Sequence, residues 1–291
     1  MVKLKPVLIA LRKLKKEDYR VLISIERGMA KHEYVPIEYI EKIVNIDKDF
    51  LLKRLRFLNS LGLIQRKKMF TISYILTSRG YDVLAFNALN KRGVLKAVSL
   101  TPYNVGKESD VYLGLSTSNR KLIVKINRLG RTCFRKTRLL RMYIGDRRHI
   151  SWLYQSRLAA EREYNALTTL YKNYISVPKP ITWNRHIVIM DYVDGLMLAK
   201  IAKLSNPEEI FNKIMNNVIK AYRDVGIIHG DLNEYNVILN PSDRKVYIID
   251  WPQWIPRNHV LARKLLLRDI KYIGKFFKKK YGYQPIYPDI I

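Results

Sequence analysis

A single cysteine, Cys133, stands in 291 residues, so no disulfide can close within the chain. A reducing compartment follows, with no disulfide-linked partner. Long hydrophobic runs are missing as well: nothing approaches the ~20 apolar residues that a membrane span needs. The apolar stretch Pro6 to Leu11 is short for a secretion signal and has no small-residue cleavage site after it. These shortages lead us to expect a soluble, cytoplasmic protein without a membrane partner. Histidine is sparse, and His32, His149, His186, His229 and His259 show no metal-ligand spacing. Acid is scarcest relative to its counterpart, with 25 Asp and Glu against 54 Lys and Arg, a net charge of +29. A surface laced with salt bridges would carry both signs in nearer balance. The excess therefore points to a polyphosphate partner, nucleic acid foremost.

What remains is a chain that is 48% hydrophobic and long enough for two domains with their own cores. Residues 1–92 form the first. Lys16 to Ala30 has helical spacing in Tyr19, Leu22, Ile23 and Glu26, and Pro36 opens a short helix that runs through Val44. Asp47 caps a third helix with the stripe Phe50, Leu51, Leu55, Leu58 and Leu61, closed by Gly62. Leu63 to Tyr74 reads as a hairpin with a polar turn near Arg66-Lys67-Lys68, and Thr77 with Ser78 caps a helix through Leu89. Helices followed by a basic hairpin make a winged helix. Its third helix would expose Lys48, Lys53, Arg54 and Arg56, and its wing Arg66, Lys67 and Lys68. Such a face fits either a nucleic-acid groove or a protein-docking role, and the basic tip favours phosphate.

From Gly93 the pattern turns to strands. Leu95 to Pro102, Asp110 to Ser116 and Lys121 to Asn127 read as consecutive antiparallel strands. A basic run from Arg128 to Arg148 reads as a mobile loop resting on an anionic partner. Then follow a helix (Ser151 to Asn173), strands at Pro178 to Trp183 and Ile187 to Tyr192, and a long helix. That helix has Asn206 as N-cap, Pro207 next, Glu208 and Glu209 in the first turn, and Gly226 past its end. A hairpin (Val237 to Asp250) and a basic terminal helix finish the second domain, 93–291.

The residues with chemistry cluster in His229-Gly230-Asp231-Leu232-Asn233-Glu234-Tyr235-Asn236, followed by Ile248-Ile249-Asp250. Phosphoryl transfer needs a carboxylate to orient the attacking hydroxyl and hard oxygen ligands for Mg²⁺. Asp231 suits the base, and Asn236 and Asp250 suit the metal. Upstream, Gly106-Lys107-Glu108-Ser109-Asp110 can lay backbone N–H groups, an ammonium and a hydroxyl over phosphates. Lys125 lies inside the apolar strand 122–126, where a cation needs a partner. Glu163 answers, sharing a helix face with Ala160, Leu167 and Leu170.

Taken in order, Gly-Lys-Glu-Ser-Asp-Val-Tyr (106–112), Lys125, Ala-Glu-Arg-Glu-Tyr (160–164), His-Gly-Asp-Leu-x-x-Tyr-Asn (229–236) and Ile-Asp-Trp-Pro-Gln (249–253) resemble the RIO family of atypical serine/threonine protein kinases. The winged helix resembles that of its second subfamily. The resemblance covers essentially the whole chain. It implies an α+β fold, a winged helix followed by a compact bilobal kinase-like domain with its N-lobe at 93–190 and C-lobe at 191–291. It implies ATP with Mg²⁺, or Mn²⁺ in its place, and adenine held by backbone at Met190 and Tyr192. Lys125 would touch the α- and β-phosphates and pair with Glu163, and Gly106, Lys107 and Ser109 would line the triphosphate. It implies catalysis by Asp231, Lys125 and Asp250, the last accepting phosphoryl as an aspartyl-phosphate in a slow ATPase. The implied partners are a small-ribosomal-subunit precursor, its rRNA and ribosomal proteins, in ribosome biogenesis.

The chain departs from ordinary kinases in three places. Asn104 and Val105 precede Gly106 where a glycine-rich loop would have Gly-x, His-Gly-Asp replaces His-Arg-Asp, and Asp250-Trp251-Pro252 replaces Asp-Phe-Gly. Only about forty residues follow Asp250 here, so we expect little room for a peptide-docking subdomain. Two other readings remain open: a small-molecule phosphotransferase of the aminoglycoside or choline kinase sort, and a catalytically silent RNA- or ribosome-binding scaffold.

Overall fold

A computed structural model describes residues 4–68, 70–129 and 152–287. The chain forms two compact units: one runs to Leu158 and includes Asn184–Ile187, and the other comprises Ala159–Trp183 and Val188 onward. The loop expected at 128–148 lies outside the described residues from 130 on.

The first unit starts with a winged helix: α1 (Leu4–Lys13), α2 (Lys16–Gly28), β1 (Val35–Pro36), α3 (Ile37–Val44), α4 (Lys48–Ser60), β2 (Ile64–Lys68), β3 (Ile72–Leu76) and α5 (Ser78–Lys91). The caps act where the residue types place them. Asp47 accepts the Phe50 N–H at 2.8 Å, and Thr77 accepts the Gly80 N–H at 3.2 Å. Each such cap is worth ~1 kcal/mol. Gly80 has a steric reason too, since a Cβ there would stand 2.1 Å from the Leu63 carbonyl oxygen. β3 lies between β1 and β2, both antiparallel to it.

Four details differ from the sequence reading. Arg66, Lys67 and Lys68 belong to strand β2 rather than to the turn, and β2 is the edge of its sheet, where charge deters pairing with another chain. Phe50 is 40% exposed, so the buried stripe of α4 is Leu51, Leu55 and Leu58. Arg54 is not part of an open basic face, because it forks onto buried Asp18 at 2.5 and 2.6 Å. α1 was not anticipated; it buries Leu4, Val7 and Ala10 and packs on α5.

The rest of this unit is a sheet in which β4 (Ala97–Val98), β5 (Asn104–Val105) and β7 (Lys121–Asn127) all pair with β6 (Ser109–Leu115). The expected strand Leu95 to Pro102 is thus broken into β4 and β5. Between them Pro102 has no N–H to give, and Leu100 and Tyr103 face solvent.

α6 (Trp152–Lys172) leads into the second unit, which holds β8 (Pro180–Asn184), β9 (Ile187–Asp191), β10 (Leu196–Met197), α7 (Pro207–Lys220), β11 (Ile227–Ile228), β12 (Val237–Leu239), β13 (Val246–Ile248), β14 (Ile255–Pro256) and α8 (Ala262–Tyr281). The core lies between α7 and α8. Ile210, Phe211, Ile214 and Met215 face Leu266, Ile270, Ile273 and Phe277, and Phe211 meets Phe277 edge-on with centroids 5.4 Å apart. Burial of each such side chain contributes roughly 1.5–3 kcal/mol. β10, β12 and β13 form one small antiparallel sheet, and β11 with β14 another. Together they hold both ends of the segment 229–250.

Candidate active site

The chain leaves β11 into His229, and both nitrogens of that buried imidazole are occupied. Nε2 lies 2.9 Å from the Ile249 carbonyl, which can only accept, so Nε2 carries the proton. Nδ1 is then the acceptor for the Asp231 N–H at 3.2 Å. One side chain thereby joins the Asp231 turn to the strand end that bears Asp250. His229 rests against Trp251 with centroids 4.6 Å apart, and Trp251, 1% exposed, donates its indole N–H to the Ile248 carbonyl at 3.1 Å.

Gly230 adopts φ +77°, and a Cβ there would stand 2.8 Å from the Gln253 carbonyl oxygen, so glycine is required. The peptide of Gly230 is held from α8. Its N–H donates to Asp269 Oδ2 at 2.8 Å, and its carbonyl accepts from Arg268. Past it, the Asp231 carbonyl accepts from the side-chain amides of Asn233 (3.0 Å) and Asn236 (2.9 Å). Because Asn236 spends its NH₂ on that bond, its amide oxygen is the atom left to meet a cation. The Ile249 N–H donates to the Asn236 carbonyl at 2.9 Å, a second tie between the two segments. Asp250 follows with φ +69°, a left-handed conformation that Asp tolerates better than most residues but that still costs energy.

The electrostatics are those of crowded acid. Lost hydration is the largest influence on Asp231 and raises its carboxyl above the ordinary Asp value. Arg268 pulls it down, whereas Asp250 and Asp269 push it further up. The carboxylate is nonetheless open to solvent at the mouth of the turn. A carboxylate with a raised pKa at an open turn is suited to take up a proton. As for a metal, the amide oxygen of Asn236 and the carboxylate of Asp250 are hard donors of the kind Mg²⁺ takes alongside phosphate oxygens, so the donor set fits. Among the described residues no cluster of three or more His, Cys, Asp or Glu would hold a metal without such help.

The remaining site residues are distributed between the units. Met190 is buried at the end of β9, and Asp191 donates its N–H to the Lys179 carbonyl at 2.9 Å before the chain exits through half-exposed Tyr192. Glu163, 1% exposed on α6, belongs to the second unit as well. The first unit carries Gly106, Lys107, Ser109 and Lys125. Gly106 donates its N–H to the Ser109 carbonyl at 2.8 Å, closing a tight turn between β5 and β6 with Lys107 exposed. Lys125, 6% exposed, lies opposite Val111 in the β6–β7 ladder. A cation and a carboxylate out of water is what the strand and helix patterns anticipated.

Three supporting residues escaped the sequence reading. Asp269 is 2% exposed on the apolar stripe of Leu266, Ile270 and Ile273, so an acid at helical spacing from buried leucine and isoleucine was the available signal. Arg268 gave no such signal. Arg162 donates to the Pro252 carbonyl at 3.3 Å and to that of Trp254, and stacks over the Trp254 ring at 4.7 Å, bracing the chain after Asp250.

Known proteins show the same two parts. A family described as the RIO domain matches residues 110–290, and one described as Rio2, N-terminal matches residues 11–92. The RIO-type serine/threonine-protein kinase Rio2 of Methanocaldococcus jannaschii is 43% identical over 256 residues, 86% of this chain and 92% of that protein. The serine/threonine-protein kinase rio2 of Dictyostelium discoideum is 37% identical over 274 residues, 94% of this chain. The chain spans about half the length of that relative, 52% of it. A crystal structure of the Rio2 kinase–ADP/Mg²⁺–phosphoaspartate complex from Chaetomium thermophilum matches with a TM-score of 0.85 at 32% identity, over 96% of this chain and 85% of that one.

Proposed function

The chain belongs to the RIO family, with the N-terminal domain of its Rio2 members, and from that premise we propose that it is an ATP- and Mg²⁺-dependent serine/threonine protein kinase and ATPase. The observation that carries the reading is that His229 ties the Asp231 N–H to the Ile249 carbonyl next to Asp250, while the Asn236 side chain donates to the Asp231 carbonyl, with Asp231 raised. Asp231 takes the proton of the attacking hydroxyl or water. Asn236 and Asp250 would hold Mg²⁺, which when bound would neutralise charge on the transferring phosphates. Gly106, Lys107 and Ser109 grip the triphosphate and Lys125, paired with Glu163, steadies its α- and β-phosphates. Backbone at Met190 and Tyr192 takes adenine. The domains are 1–92 and 93–291, the latter with lobes meeting at 190–191.

The Chaetomium structure holds a phosphoaspartate. We extend that chemistry to Asp250, whose carboxylate oxygen attacks the γ-phosphorus as the bond to the ADP oxygen breaks; water then cleaves the acyl phosphate. Mg²⁺-dependent ATP turnover is the test of the whole reading. Asp231→Ala should lose about 10²- to 10⁴-fold in kcat, the usual worth of a positioned base. Turnover at the wild-type rate would remove Asp231 from that role. The match across both domains leaves the aminoglycoside- or choline-kinase reading without support.

A role on a small-subunit precursor in the cytoplasm is supported by the net charge of +29 and by the exposed Lys48, Lys53, Arg56, Arg66, Lys67 and Lys68 of the winged helix. Neutralising Arg66, Lys67 and Lys68 should flatten the salt dependence of rRNA binding by roughly 0.7–0.9 per lost phosphate contact. An unchanged slope would exclude this edge from the RNA interface.

A further inference from the structure

We infer that Arg128 is a positioning residue for the loop 106–110, clamped in turn by Asp82 of the winged helix, so that the winged helix takes part in gripping the triphosphate. The inference rests on the reading of that loop as the phosphate-binding segment.

Arg128 follows β7 and is 6% exposed. It holds the loop at two points on either side of Ser109. Its backbone N–H donates to the Glu108 carbonyl at 2.6 Å, and its Nε lies 3.5 Å from Oδ2 of Asp110, which is fully buried. The first contact fixes the peptide that presents Ser109. The second supplies the positive charge that a buried carboxylate requires.

The other side of the guanidinium faces α5. Its two terminal nitrogens donate to the two oxygens of Asp82 at 2.5 and 2.7 Å, a fork geometry that only arginine can make. Asp82 is fully buried and also meets His186 Nε2 at 2.7 Å, and His186 is stacked on Tyr81 with centroids 4.7 Å apart. Burial works against the charge of Arg128, and Asp82 and Asp110 together more than restore it. A continuous, desolvated path therefore runs Tyr81–His186–Asp82–Arg128–Asp110, from winged helix to loop, wholly inside the first unit.

A tether between the winged helix and the rest of the unit would not need this path, because one already exists. Arg185 forks onto Glu26 of α2 at 2.6 and 2.7 Å. That pair joins the winged helix to the turn between β8 and β9. Its other hydrogen bonds go to Leu84 and Asn184, and its guanidinium lies 5.9 Å from the Tyr81 ring centroid, but none of these contacts is to the loop. The Asp82–Arg128 pair differs by ending on the phosphate loop. Since coupling is reciprocal, what binds the winged helix and what binds the loop must affect each other.

The test compares wild type, Asp82→Asn, Arg128→Lys and Glu26→Gln in the full chain, by calorimetric titration with MgATP and with adenosine, alongside ATP kinetics and unfolding midpoints. Asp82→Asn should weaken MgATP about 10-fold, a coupling of ordinary size, while adenosine, which has no phosphates, binds as to wild type. KM should rise with little change in kcat, because the loop grips phosphates equally in ground and transition states. Arg128→Lys should fall between, keeping the charge beside Asp110 but losing the fork. Glu26→Gln should lower the unfolding midpoint and leave MgATP affinity unchanged. If Asp82→Asn stays folded and binds MgATP as wild type does, or loses adenosine equally, the inference is overturned. A wild-type chain that binds no MgATP overturns the functional reading and this inference together, which separates the two failures.

Discussion

Two knots of charge, one in each unit, are built on opposite plans. Around Asp82 the charges are out of water and paired: a forked arginine and a histidine converge on one carboxylate. Burial alone would raise Asp82, yet Arg128 and His186 overcome it and hold its carboxyl below the usual range. Around Asp231 three carboxylates crowd one turn, the turn is open to solvent, and lost hydration with Asp250 lifts its carboxyl instead. The difference sets a carboxylate that ties its unit together apart from one that stays open to solvent among other acids, the one we propose for chemistry. Satisfied charge rigidifies; crowded charge is held in readiness and weakens the fold it sits in.

The comparison can be broken most forcefully at Asp82. Asp82→Ala breaks the buried fork and leaves Arg128 with the longer Asp110 contact, at 3.5 Å, and should cost about 3–5 kcal/mol in urea unfolding. A loss under about 1 kcal/mol, the scale of a surface ion pair, would show that the cluster is not the keystone of the first unit. Asp269→Ala is the counterpart in the second unit. It leaves the Gly230 N–H unanswered and should cost about 1–3 kcal/mol. Because it frees the peptide before Asp231, kcat should fall as well, and a stability loss without a kinetic one would limit Asp269 to scaffolding.

The smallest effect is the pH response, where the two knots should differ in sign. His186 is depressed first by burial, against the pull of Asp82, and Asp82 is depressed by its partners. Groups lowered in the folded state contribute stability above their unfolded values, so this share is lost as pH falls below about 6.5, the ordinary histidine value. Asp231 is raised, so its contribution is present below the ordinary Asp value and lost as pH rises through its folded one. His186→Gln should flatten the acid side of the stability curve, and an unaltered acid side would contradict the assignment.

The sequence made the punctuation legible: Asp47, Thr77, Asn206 and Gly226 are the caps they look like. The order of chemical motifs pointed at the turn that His229 ties to the strand end before Asp250. What stayed hidden was long-range pairing. Arg128 stands at the head of a basic run that reads as a mobile loop resting on an anionic partner, but it is buried and its partner Asp82 lies 46 residues away on another element. Arg54 was misread for the same reason, with Asp18 36 residues back. The two-residue strands β1, β10, β11 and β14 carry no periodicity at all, since two residues cannot show one. α1 has no acidic residue in its first turn, and its packing on α5 supports it as a helix.

The most direct measurement is on Asp231→Asn at neutral pH, reading Mg²⁺-dependent ATP turnover and the unfolding midpoint on one preparation. Turnover should fall by about 10²- to 10⁴-fold while the midpoint holds or rises, because a charge crowded by Asp250 and Asp269 and only partly hydrated has been removed without changing shape. Retained turnover, or a midpoint that drops as it would for Asp82, would contradict the division between a carboxylate that holds the fold and one reserved for phosphoryl transfer.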